Sequence, residues 1–489
     1  MIKKKKAIII GSGISGIATA IRLNKKGYET HIYEANSYPG GKIREMNKNG
    51  YRFDMGPSLL TKPILLNELF ELENENIKDY IKIKKLDEIC KYFFNDKTYI
   101  VARSNIKNFA SECSKKFNIK EKKIINFLNK SKYIYNNTSF IFLEKSLHKV
   151  SSFLSFKVLK SLLLIPTLNI FKTMNTVNQK IFNNSKLTQI FNRYATYNGS
   201  NPYKASAILN VIPHYEFNIG AYFPSNGIYS IILGLSKFAK NKGVKFHFNT
   251  RVDEIIYSDY NKIIGVKIGQ NIIDSDIVVS NMDIINSYEK LLPKINMPKS
   301  LICPDLSTSA IIFYWGVKKT NKNLKLHNIL FSSNYKEEFE NIDKNIINND
   351  PTIYINISSK ENFSDAPIGC ENWFVMINVK PIKNNNWDKI VKDYREIIFK
   401  KIMKVLNIDV KNFLEYEEIS DPRDIESTSS SFMGSLYGPS SNKFFSAFLR
   451  HPNFSSIKNL YFCGGSVHPG GGIPLSLYSA KIVDNLIKT

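Results

Sequence analysis

The chain runs to 489 residues, 43% of them hydrophobic and 12% aromatic, which is enough apolar material for several packed layers and excludes an intrinsically disordered protein. Lys and Arg exceed Asp and Glu by 68 to 43, a net charge of +25; no zinc-finger spacing, RNP-type strand or basic heptad helix accompanies it, so no nucleic acid is expected, and an acidic lipid surface or a merely solvated exterior remains. Five scattered cysteines without a CxxC pair and seven histidines without ligand spacing fit a reducing compartment and lead us to expect no protein-bound metal.

The first element follows a short basic run. Lys3 to Lys6 lead into the apolar Ala7 to Ile10, which stops at Gly11; this is a solvated lead-in and a strand rather than a signal peptide. No stretch reaches the ~18 apolar residues of a spanning helix, so a cytoplasmic protein is expected. After the strand come Gly11, Gly13 and Gly16 in GxGxxG, an apolar helix, a second strand, and Glu34 about 20 residues further on. Gly11 serves the turn, Gly13 the approach of backbone amides to a pyrophosphate, and Gly16 the packing of helix on strand. The helix N-terminus favours phosphate, while Glu34 accepts from ribose hydroxyls and repels a 2′-phosphate. The segment predicts dinucleotide binding.

Gly40 and Gly41 make a second loop in which backbone can approach a ligand, and Lys42 beside them is either a phosphate contact or an ordinary exposed lysine. Gly50 to Ser58 reads as a short strand with Tyr51 and Phe53 on one face, turning at Gly56 and Pro57. Residues 63–224 keep a helical period with many lysines, which predicts a mostly helical insertion or cap. Within it, Phe153 to Phe171 is strongly apolar with Lys157 and Lys160 interleaved. That pattern suits a helix lying in a lipid interface and equally a buried cap helix broken at Pro166.

From Gly227 the pattern returns to helix (Ile228 to Asn241), strands (Val244 to Asn249, Val252 to Tyr257), a hairpin at Asp259 to Lys262 and the buried strand of DIVVSNMD. Residues 286–444 mix strands at Ser309 to Val317, Thr352 to Ser358 and Trp373 to Asn378 with a helix at Trp387 to Leu406. The chain closes with a strand at Leu460 to Cys463, a glycine-rich turn, and a helix from about Pro474 to Ile487. The expected fold is α/β: a discontinuous Rossmann-like domain from residues 1–62, 225–285 and 445–489, a helical cap, and a substrate domain on a mixed antiparallel sheet.

Taken in order, PGGK (Pro39 to Lys42), GYRFDMGPS (Gly50 to Ser58), RYATYNGSNPYKA (Arg193 to Ala205), FPSNGIYSIILGLSKFAKNKGVKFHFNTRVDEI, DIVVSNMD, GSLYG (Gly434 to Gly438), FLRHPN and NLYFCGGSVHPGGGIPLSLYSAK span the chain. With the fingerprint, they make it resemble the bacterial-type phytoene desaturase family of FAD-dependent carotenoid desaturases. The resemblance implies one non-covalent FAD, an apolar tunnel for a carotenoid, and a peripheral hold on the inner face of the cell membrane, where that substrate dissolves. It places FAD against Gly11, Gly13, Ile14, Ser15, Gly16, Glu34, Ala35, Gly41, Lys42, Gly56, Pro57, Ser58, Val252, Gly464, Gly465, Gly472 and Ile473. Lys42 stands where the family more often has arginine, which weakens a bidentate phosphate contact. GGSVHPGGGIP replaces the commoner GAGTHPGAGIP; we associate the GGS form with members acting on hydroxylated carotenoids, so the resemblance leans to a hydroxycarotenoid 3,4-desaturase, with phytoene desaturase as the alternative.

On this reading a flavin takes the hydride that no side chain can accept, and the free amides of the helix after Gly472 and Ile473 stabilise negative charge on the ring. A proton must also leave. His468, Glu216 and His214 are the ionisable groups in the matching segments, and none is assigned as the base. One fingerprint leaves no separate NAD(P) site, so a quinone or oxygen is the expected electron acceptor. A carotenoid isomerase or saturase, a flavin amine oxidase, and a non-enzymatic prenyl-lipid chaperone stay open as alternatives, although the chaperones lose the phosphate glycines that are intact here.

Overall fold

The computed structural model describes residues 4–149, 168–383, 386–443, 446 and 449–488. A five-stranded sheet runs in the order Lys245–His247, Glu29–Tyr33, Lys6–Ile10, Ile277–Ser280, Leu460–Phe462, with every neighbouring pair parallel. Segments from the start, middle and end of the chain thus share one sheet. Alternation along the strand decides what packs on each face. Ala7 and Ile9 join the core with the helices Ile14–Lys25, Tyr229–Asn241 and Ile473–Leu486. Ile8 and Ile10 join the core with the antiparallel meander Glu254–Tyr257, Ile263–Ile268 and Asn271–Asp274. Strands buried on both faces read as unbroken apolar runs, which is why Ala7 to Ile10 and Ile277 to Val279 stand out in the sequence.

A seven-stranded sheet runs in the order Leu414–Ser420, Ser309–Val317, Glu371–Val379, Ile353–Asn356, His327–Leu330, Glu88–Phe93, Tyr99–Arg103. It is antiparallel except where His327–Leu330 lies parallel to Glu88–Phe93. One face packs Phe313, Trp315, Ile355 and Val375 against the apolar stripe of the helix Trp387–Leu406, made by Trp387, Val391, Ile398 and Ile402. The alternate residues, among them Ile312, Tyr314, His327, Ile329, Tyr354 and Met376, line a large cavity.

The helical expectation for residues 63–224 is corrected at Glu88–Phe93 and Tyr99–Arg103, which complete this sheet. Glu88–Phe93 is buried at every position after the first, so it lacks the polar alternation that announces a strand. Helical reading holds for Ile106–Phe117, Glu121–Phe142, Met174–Phe182 and Ser185–Asn192. Of the apolar stretch 153–171, residues 153–167 lie outside the described residues; Leu168 and Ile170 are buried and Phe171 is 71% exposed. No helix among the described residues is long and apolar enough to cross a membrane.

Trp315 is fully buried and stacks on Phe399 with ring centroids 4.7 Å apart. Replacing it with alanine, Trp315→Ala, removes that contact and leaves a void between sheet and helix. The expected cost is about 3–5 kcal/mol, read as a lowered urea midpoint in unfolding followed by circular dichroism.

Candidate functional site

The opening strand ends where the Gly11 N–H donates to Tyr33 O at 2.8 Å. The helix Ile14–Lys25 then starts at Gly13 without a side-chain cap, so its first amides keep their donors and the positive end of the dipole is unneutralised. Gly16 must lack a side chain: a Cβ there would lie 2.3 Å from Gly11 O and 2.9 Å from Asn281 Oδ1. Glu34, just past the second strand, is oriented by the Ser12 N–H and Oγ–H at 2.8 and 2.7 Å on one oxygen and by the Asn36 N–H at 2.9 Å on the other. A carboxylate held that way still has lone pairs for incoming hydroxyls.

The closing segment builds a second uncapped terminus beside the first. The Cys463 N–H donates to Ser280 O at 2.9 Å, which sets the tail strand beside the middle one. The helix Ile473–Leu486 follows Gly472, whose φ of +98° suits only glycine, with proline in its first turn and no side-chain cap. Ser15 Oγ–H donates to Ser476 O at 2.8 Å, locking the two helix starts together. Asn281 wedges between them, its Nδ2 donating to Cys463 O at 3.0 Å.

Both termini open on one cavity of about 1140 Å³, larger than the ~300–1,000 Å³ usual for a drug-sized ligand. Gly11, Gly13, Ile14, Ser15, Glu34, Ala35, Gly41, Lys42, Gly56, Pro57, Ser58, Val252, Gly464, Gly465, Gly472 and Ile473 all line it. Gly16 does not, because its place is in the helix–strand contact. Amide termini for a pyrophosphate and a carboxylate for ribose sit at one part of the cavity wall, and the largely apolar sheet face forms another. The residues present fit a dinucleotide with a hydrophobic molecule beside it.

Lys42 is not an exposed loop lysine: it lines the cavity and its ammonium is partly engaged. Its ammonium donates to Ser435 O at 3.1 Å and Leu436 O at 2.7 Å, tying the GSLYG segment over the cavity and leaving one N–H. Burial pushes its pKa down to about 8 against the pull of Asp283, whose own carboxyl burial raises. Arg450 acts similarly, donating to Tyr437 O at 2.8 Å and Gly465 O at 3.0 Å.

Of the three proposed proton acceptors, only Glu216 lines the cavity. Its carboxylate is taken by the Tyr194 hydroxyl at 2.5 Å, the Tyr197 hydroxyl and the Arg193 guanidinium at 3.4 Å. His214 packs against the Tyr135 ring at 4.6 Å, and burial lowers its pKa to about 4. His468 lies 3.0 Å from Lys145 O through Nε2, with its pKa likewise lowered to about 4 by burial. Neither histidine is among the residues that line the cavity. Asn281 and Asp283, inside a motif whose function was not resolved to residues, line the cavity too. So do His327 and Tyr354, on strands that carry no motif at all.

Residues 14–302 match the family of flavin-containing amine oxidoreductases. The chain is 48% identical, over 99% of itself and of its counterpart, to a 1-hydroxycarotenoid 3,4-desaturase of Flavobacterium sp. (strain P99-3). It is 32% identical to a 4,4′-diapolycopene oxygenase of Methylomonas sp, over 99% of this chain and 98% of that one. Among solved structures, an oxidoreductase from Methanosarcina mazei matches with a TM-score of 0.64 at 14% identity, covering 97% of this chain and 98% of that one. A putrescine oxidase redesigned in its cofactor binding matches at 0.63 and 11%, covering 99% and 98%. A Rab GDI from Plasmodium falciparum matches at 0.52 and 14%, again over 99% and 98%. At such identities the likeness to solved structures is one of fold.

The burial of Lys42 has a pH signature. Between about pH 8 and the ordinary lysine value the unfolded chain holds a proton that the folded protein has lost, so stability rises with pH across that window. In cofactor-free protein Lys42→Met is expected to remove this rise, measured as unfolding midpoints on either side of about pH 8.

Proposed function

This chain belongs to the flavin-containing amine oxidoreductases, in the bacterial-type phytoene desaturase family of FAD-dependent enzymes, and from that premise we propose that it removes two hydrogen atoms from a lipid-dissolved hydroxycarotenoid as a 3,4-desaturase. The observation that carries the reading is the full-length identity to the 1-hydroxycarotenoid 3,4-desaturase. FAD, when bound, supplies the hydride acceptor that the side chains lack.

The chain's own residues account for the rest. The amides from Gly13 to Ser15 take the pyrophosphate and Glu34 the ribose hydroxyls. The amides after Gly472 offer positive potential to the flavin ring. Ile312, Tyr314, Ile329 and Met376 give the polyene an apolar wall and exclude water from the reacting carbons. Lys42 and Arg450 hold the roof of the cavity through backbone carbonyls.

A quinone or oxygen serves as the final electron acceptor in this proposal, and the protein sits at the inner face of the cell membrane without crossing it. The net charge of +25 and the exposed Phe171 beside the apolar 153–167 stretch support a lipid-facing surface.

The test uses purified protein in vesicles carrying either an acyclic 1-hydroxycarotenoid or phytoene. The expected result is a yellow flavoprotein that yields a product two hydrogens lighter from the hydroxycarotenoid and leaves phytoene unchanged. Preferred conversion of phytoene overturns the substrate assignment, and a protein that neither carries nor takes up flavin overturns the reading as a whole. Glu34→Ala removes the ribose acceptor together with the anchor of Ser12; it is expected to weaken FAD by about 10-fold or more, measured by fluorescence titration of the stripped protein.

A further inference from the structure

The GSLYG segment carries Tyr437, which lines the cavity and is half-buried. Its backbone is held on both sides: the N–H donates to Ser307 Oγ at 3.0 Å, and the carbonyl accepts from Arg450 Nη1 at 2.8 Å. The same guanidinium donates to Gly465 O at 3.0 Å, so one side chain ties this residue to the glycine turn before the closing helix. The ring lies between two glycines. A Cβ on Gly199 would stand 3.1 Å from its Cδ2, and a Cβ on Gly471 would stand 2.5 Å from its Cδ1. Gly471 directly precedes Gly472, where the helix Ile473–Leu486 starts, so the ring is packed on the turn that presents the uncapped amides. The hydroxyl has no hydrogen-bond partner among the described residues, and burial alone pushes its pKa up to about 12, which keeps it a neutral donor. Unlike the unpartnered hydroxyl of Tyr215, which is sealed inside the protein, it keeps accessible surface.

A hydroxyl donor that opens on a water-excluding cavity calls for an acceptor. A polyene offers none along its length. A flavin ring offers carbonyl oxygens and ring nitrogens, and it gains negative charge on reduction, so a hydrogen bond to it strengthens as it is reduced. Tyr314 and Tyr335 line the cavity with hydroxyls that also lack a partner among the described residues. Their rings pack on Phe53 and Phe374, and on Phe331 and Phe339, whereas the ring of Tyr437 is packed on the closing turn. Contact with that turn is what singles out Tyr437.

We propose that the Tyr437 hydroxyl donates to an acceptor on the bound flavin ring and, by holding the reduced ring more tightly than the oxidised one, raises its tendency to accept a hydride. The proposal rests on the placement of that ring at the closing helix argued above. With its backbone fixed at both ends and its ring held between Gly199 and Gly471, the donor is in place before the cofactor arrives and loses little freedom in bonding it. A phenylalanine would fill the same space and donate nothing.

The test compares the wild-type flavoprotein with Tyr437→Phe, which keeps the ring and removes only the hydroxyl. For each protein three quantities are read without added substrate: flavin content per chain, the position of the visible absorption band, and the equilibrium reduction of the flavin against a reference dye in the absence of oxygen. Tyr437→Phe is expected to keep its flavin, to shift the band, and to show a reduced-to-oxidised ratio about 10-fold lower at the same dye potential. Where it loads incompletely, band and ratio are read on the loaded fraction. Tyr335→Phe, which removes another unpartnered cavity hydroxyl, is expected to match the wild type. A Tyr437→Phe protein that matches the wild type in both band and ratio overturns the role of Tyr437, and so does a Tyr335→Phe protein that changes in the same way. A Cβ on Gly472 meets no protein atom within 4 Å, so a side chain there would enter space kept for the ring. Flavin held unchanged by Gly472→Val sinks the placement of the ring at the closing helix, and a wild-type protein that holds no flavin sinks the cofactor reading itself.

Discussion

The parallel pairing of Lys6–Ile10 with Ile277–Ser280, and of that strand with Leu460–Phe462, is the constraint on which everything else rests. It puts the start and the end of the polypeptide side by side, so that two helices begin at the same edge of one sheet. Neither helix start is capped by a side chain. Their unpaired amides would be a liability facing an apolar core, and become an asset where they face a phosphate-bearing ligand. Asn281 makes the closeness possible and also demands it. A Cβ on Gly13 or on Gly464 would come within 2.6 or 2.8 Å of its amide group, so the glycines answer to a neighbouring side chain as much as to a cofactor.

The two sheets are joined by charge as well as by packing. Asp54 accepts from the Ile228 and Tyr229 amides at 2.9 and 3.0 Å, capping the helix Tyr229–Asn241 of the first sheet. Arg52, two residues earlier, pairs with Asp54 at 2.8 Å and with the fully buried Asp365 of the second sheet's margin at 3.3 Å. Breaking one partner of such a buried network strands the others. The cavity therefore lies between two units that cannot easily slide past one another, which preserves the alignment of its two differently natured walls.

Much of the first sheet was legible in the sequence, because doubly buried strands are plain apolar runs and the phosphate glycines have no substitute. The residues expected to hold the cofactor all line the cavity except Gly16, whose motif position already assigned it to packing. The partners of Lys42, the carbonyls of Ser435 and Leu436, were hidden because they lie hundreds of residues away and backbone acceptors leave no trace in a sequence. The strands Glu88–Phe93 and His327–Leu330 were missed for a related reason. They are short, buried and paired with each other across a gap no local pattern spans.

The interleaving of early and late segments in both sheets sets the timetable of biogenesis. While the polypeptide is still emerging from the ribosome, Lys6–Ile10 can pair with Glu29–Tyr33, yet its other edge waits for Ile277–Ser280, and Glu88–Phe93 waits for His327–Leu330. For most of translation these edges stand bare and prone to pairing with the wrong partner. Until the helix Ile473–Leu486 has left the tunnel, the amides of its first turn are missing from the cavity wall, so the second of the two uncapped helix starts joins the site after every other lining segment.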